Sequence, residues 1–100
     1  MALNITGTIE LKSGVVINSA YARVNPRLMS EGNKVRTTTE YWLTEQDYLD
    51  KKYPIDFSYV GASTLDYDRV TDGPDILLFS NEQIKSQLEA QGFSVTITEL

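Results

Sequence analysis

Leu3, Ile5, Gly7, Ile9 and Leu11 alternate with Asn4, Thr6, Thr8 and Glu10. A helix would scatter these residues around its circumference. A strand, whose successive side chains point to opposite faces, gathers the apolar set on one side. The first dozen residues therefore specify a sheet with one dry face and one polar face, and some later element must cover the dry one. Phe93, Val95 and Ile97 alternate with Ser94, Thr96 and Thr98 in the same way, so a second strand closes the chain.

Between these ends the pattern changes repeatedly. Lys12-Ser13-Gly14 reads as a turn, with Gly where a positive φ is needed, and a β-type run from Val15 to Val24 completes a first hairpin. Asn25-Pro26 opens a polar stretch to Lys34, too long for a tight turn and predicted to project as an exposed loop carrying Arg27, Leu28 and Met29. Val35 to Leu43, rich in β-branched and aromatic residues, is the third strand. Thr44 with Asp47 marks the start of one or two helical turns that end before Tyr53-Pro54. Ile55, Phe57 and Tyr59 alternate with Asp56 and Ser58, which predicts a fourth strand, and Leu65 to Val70 extends or edges the sheet.

Thr71 to Asp75 reads as a turn and Ile76 to Phe79 as a short buried segment. Ser80 with Gln83 forms a capping box, Phe79 is placed to staple against Ile84, and Gly92 followed by Phe93 gives a Schellman end packing on Leu88. These signals predict a helix over about 81–90, with a thin apolar stripe of Ile84 and Leu88. The fold class that follows is α+β and mainly β: a small antiparallel sheet or sandwich of about five to six strands, with one helix near the C-terminus followed by a last strand. At 100 residues the chain is read as a single domain, 1–100, which buries roughly two-thirds of its open-chain surface on folding.

Composition excludes several chemistries. The chain has no His and no Cys, so imidazole general bases, Ser-His-Asp and Cys-His machinery, thiolate ligands and disulfides are all absent. Its 6 glycines stand far apart, and no phosphate-binding loop or dinucleotide fingerprint assembles. Asp66, Asp68, Asp72 and Asp75 surround Gly73, but Val70 and Phe79 occupy positions where an EF-hand needs oxygen ligands. No catalytic residue, cofactor or metal site is therefore expected, and the chain is read as a non-enzyme.

A net charge of -5 argues against nucleic acid as a partner. The charge is uneven: residues 1–36 hold five bases against two acids, a net of +3, and residues 37–100 hold four against twelve, a net of -8. That asymmetry reads either as solvated charge or as head-to-tail complementarity between copies. No segment has the length of a membrane span and the start lacks the features of a secretion signal, so the expectation is synthesis in a cytoplasm without a membrane partner.

Tyr41 and Trp42 fall on opposite faces of one strand, so one of them lies outside the first core. It is either covered by another element or offered to a partner, as a sugar-stacking platform or an interface anchor. Together with Arg27, Leu28 and Met29 these are the candidate partner contacts.

The opening strand Ala2-Leu3-Asn4-Ile5-Thr6-Gly7-Thr8-Ile9, the strand through Tyr41 and Trp42, Pro54-Ile55-Asp56-Phe57 and the terminal helix-strand pair resemble small structural proteins of tailed bacteriophages. The resemblance implies a virion component made in the host cytoplasm: repeated copies in a ring, collar, fibre or capsid-surface position. It would be held by contacts with other virion proteins and with itself. A carbohydrate- or ligand-binding β module and an acidic inhibitor protein are the alternatives that the residues leave open.

Overall fold

The computed structural model describes residues 1–55 and 64–98. Among them run β1 (Ala2–Glu10), β2 (Val16–Leu28), β3 (Lys34–Trp42), α1 (Glu45–Leu49), β4 (Thr64–Asp66), α2 (Arg69–Asp72), α3 (Ile76–Ala90) and β5 (Ser94–Thr98). The five strands form one antiparallel sheet in the order β4-β3-β2-β1-β5, so the architecture is α+β, mainly β, with the long helix preceding the last strand.

The alternation read in β1 sets the two faces. Leu3, Ile5 and Ile9 are fully buried beneath α3, where Ala20, Ala22, Val24, Tyr41 and Val95 from the neighbouring strands meet Ile84 and Leu88 of the helix. A smaller core lies at the β4 end, where Val35, Leu65, Tyr67 and Phe79 pack together with Ile76 against them. The first hairpin closes as predicted, with Leu11 N–H donating to Val15 O and Gly14 at positive φ.

β1 is irregular at one point. Thr6 pairs with Ser19 but Ile9 pairs with Ile17, so two residues, Gly7 and Thr8, oppose Asn18 alone in a bulge. Gly7 has φ +140°, outside the range of ordinary side chains, and a Cβ there would stand 3.0 Å from Phe93 Cδ1.

Three sequence expectations need correction. The projecting loop from Asn25 to Lys34 is mostly strand: β2 continues to Leu28 in unbroken register with β3, leaving a tight connection in which Met29 N–H donates to Lys34 O. Pro26 is tolerated because β1 pairs with β2 only as far as Ala22, so β2 has a neighbour on one side alone at that point.

Second, α3 begins at Ile76, five residues before the predicted start. Asp75 is its N-cap, its Oδ1 accepting from Leu77 and Leu78 N–H at 3.1 Å each. The apolar run Ile76–Phe79 is the helix's first turn, and the Ser80–Gln83 capping box does not form, because Ser80 lies inside the helix and is fully buried. Phe79 and Ile84 consequently enter different cores rather than stapling to each other.

Third, of the predicted 65–70 segment only Leu65 and Asp66 are strand, within β4, and Arg69–Asp72 is a helical turn capped by Asp68. The fourth strand predicted from Ile55 to Tyr59 lies beyond Ile55 outside the described residues; Ile55 itself donates its N–H to Tyr41 O and packs against the main core.

The C-terminal end of α3 follows the predicted Schellman geometry. Phe93 N–H donates to Leu88 O, Gly92 N–H donates to Glu89 O, and Gly92 takes φ +98°. This turn reverses the chain and feeds β5 against β1 in five consecutive pairs, from Ala2 with Thr98 to Thr6 with Ser94.

Candidate functional site

Residues directly opposite in an antiparallel pair share a face, so the register defines what stands on the sheet surface away from α3. It carries Tyr21, Arg23, Asn25 and Arg27 from β2, and Lys34, Arg36, Thr38, Glu40 and Trp42 from β3. From β4 come Thr64 and Asp66.

One end of this surface is closed by α1. Thr44 Oγ1 accepts from Asp47 N–H and starts the helical turn, as the sequence predicts. That turn lays Tyr48 against Tyr21 and Trp42, with ring centroids 5.6 and 4.8 Å away. Trp42 Nε1 donates to Lys52 O at 2.9 Å, so the indole is satisfied within the chain. The Arg23 guanidinium lies 4.4 Å from the Tyr48 ring centroid, donating to Tyr48 Oη and Met1 O. Burial in this cluster pushes the Tyr21 phenol above its ordinary value, against the opposing pull of Arg23.

Tyr41 and Trp42 are thus 8% and 7% exposed, one in the core beneath α3 and the other under α1. Neither presents a ring for stacking on a ligand. Among the described residues Tyr53 is the large exposed aromatic, and a single ring does not make a platform.

Arg27, Leu28 and Met29 are brought together at the opposite end. With Ser30 and Arg36 they line an open groove around the β2–β3 connection. Leu28 is nearly half exposed. The cations on this face are matched unequally. Arg23 stands opposite Glu40, and Lys34 stands opposite Asp66 with its Nζ 3.6 Å from the carboxylate. Arg27 stands opposite Arg36. Like charges directly opposite destabilise a strand pair, and among the described residues neither guanidinium is in an ion pair. Sequence reasoning picked out Arg27, Leu28 and Met29 but missed Arg36, which joins them only through strand register.

Of the carboxylates around Gly73, Asp66 faces Lys34 and the other three are occupied by the backbone. Asp68 caps α2, Asp72 accepts from Asp68 N–H at 2.8 Å, and Asp75 caps α3. No group of three such side chains converges on a common point among the described residues. The acidic segment starts beside the basic end, with Tyr67 N–H donating to Asn33 O, so the two charge blocks of the sequence meet within one chain.

No protein-family model, curated protein or solved structure matches this chain. Among the described residues no helix is long and apolar enough to cross a membrane.

Proposed function

We propose that this chain is a non-enzymatic structural or assembly component of a bacteriophage virion, working through protein–protein contacts. The observation that carries the reading is the Arg27–Arg36 pair beside half-exposed Leu28. Two cationic side chains at directly opposite register positions repel each other in the isolated chain, and a partner that brings carboxylates to them turns repulsion into attraction. Arg is suited to such contacts because its planar fork bonds carboxylates in pairs. Leu28 and Met29, which line the same groove at the end of the hairpin, supply apolar area beside the two cations.

The test is Arg27→Glu. Placed opposite Arg36, the new carboxylate is expected to stabilise the free protein by about 0.2–1 kcal/mol, while cancelling the net positive charge that the pair offers to the partner. Purified virions assembled with this variant should contain less than a tenth of the parental copy number, with an unchanged or raised melting temperature. Incorporation of Arg27→Glu at the parental level would refute the assignment of this end as the docking site. Absence of the parental chain from purified virions would refute the virion assignment itself.

A further inference from the structure

The sheet has two outer edges, and they are built differently. β4 is three residues long, carries Asp66 and runs into the acidic turn of α2, so it is short and charged, as protected edges are. β5 has five residues, Ser94-Val95-Thr96-Ile97-Thr98, with no charge, no proline and no shift in its register with β1. Its one neighbour among the described residues is β1, which leaves the outer row of backbone donors and acceptors facing away from the sheet. Among the described residues none of the usual devices against strand addition is present along 94–98.

The edge is also self-complementary. If a second copy approaches antiparallel about a two-fold axis at Thr96, then Thr96 meets its own counterpart, Val95 meets Ile97, and Ser94 meets Thr98. Val95 and Ile97 both lie on the face covered by α3, because they are register partners of Ile5 and Leu3 in the buried core. The new apolar pairs would therefore continue the core across the axis, while Ser and Thr pair on the open face; both are favourable cross-strand combinations. The flanking groove between α3 and β5 is lined by Glu82, Lys85, Ser86, Val95, Thr96 and Ile97. Its charges have both signs, and Lys85 already sits 3.1 Å from Glu89, so two such flanks meet without a block of like charge.

From this geometry we infer that β5 is a homotypic interface: two copies join edge to edge through residues 94–98 into one continuous ten-stranded sheet with both α3 helices on the same side. The inference rests on the assembly reading above and names one of its partners as a second copy of this chain, at a surface separate from the Arg27–Arg36 end. An isologous contact of this kind closes after two copies.

The absence of cysteine makes the test specific. Opposite residues in an antiparallel pair have Cβ atoms about 4.5–5.5 Å apart, close enough for a disulfide after a small shift. Thr96→Cys in the full chain should therefore oxidise to a covalent dimer at least tenfold faster than Val70→Cys, whose side chain is 94% exposed on α2. Thr96→Lys, which sets two cations opposite each other at an exposed position, should weaken dimerisation at least tenfold by sedimentation while leaving the melting temperature of the monomer unchanged. A parental chain that sediments as a monomer over the whole concentration range, or equal cross-linking of the two cysteine variants, overturns the inference. A monomeric chain still present in virions would remove the β5 contact and leave the assembly reading intact; a dimer linked through Thr96→Cys but absent from virions would do the reverse.

Discussion

Replacing Gly7 by Ala tests the one place where β1 leaves regular pairing, and the cost divides into two parts. The first is conformational: φ of +140° is a region L side chains rarely adopt, and holding a residue there costs about 1–3 kcal/mol. The second is steric, since the added Cβ would lie 3.0 Å from Phe93 Cδ1, and forcing a packed ring aside costs about 1–3 kcal/mol. Together they amount to about 2–6 kcal/mol, a large share of the roughly 5–15 kcal/mol by which a domain is stable. At about 4–8 °C per kcal/mol for a chain of this length, the melting temperature should fall by at least ~8 °C. Urea and thermal unfolding followed by circular dichroism measure both quantities. A cycle with Phe93→Ala separates the parts, because in that background Gly7→Ala retains the backbone cost and loses the clash. A Gly7→Ala variant within about 0.5 kcal/mol of the parent would refute the strained bulge. A cost unchanged by Phe93→Ala would show that the ring does not oppose the new methyl group.

The start of α3 gives a test by sign. Asp75→Ala should destabilise by about 0.5–2 kcal/mol through loss of the cap. Ser80→Ala should be neutral or stabilising, because Ser80 Oγ is buried in the helix with no hydrogen-bond partner among the described residues; destabilisation by Ser80→Ala and tolerance of Asp75→Ala in denaturant titrations would restore the capping box. Alkaline unfolding should depend on Tyr21, whose phenol ionises at higher pH in the folded chain than in the unfolded one. The neutral phenol's contribution is whole below the unfolded value near pH 10 and is lost as pH rises through the folded value, because the unfolded chain then releases its proton first. Tyr21→Phe should flatten the fall in stability above pH 10, and an unchanged slope would count against the burial of that hydroxyl.

Local periodicity determined the strands at the two ends, the choice of dry face and the C-terminal boundary of α3. Each depends on neighbours within a few residues: the alternation of Leu3, Ile5 and Ile9, the cap at Thr44, and the Gly92-Phe93 turn that returns two N–H groups to Glu89 and Leu88. Ile76 to Phe79 was not legible in this way, because a short apolar run fits a buried strand and a first helical turn equally. The choice was made by packing of Ile76 and Phe79 against Val35 and Leu65, residues distant in sequence. Asn25 to Leu28 likewise read as loop from its own polar and proline content. It became strand because β3 supplies a hydrogen-bonding partner along its whole length while β1 stops short of it. The candidate contact surfaces are tertiary for the same reason: Arg27 faces Arg36, Trp42 is sealed by Tyr48, and β5 becomes an edge only through strand order, which side-chain pattern within one segment does not encode.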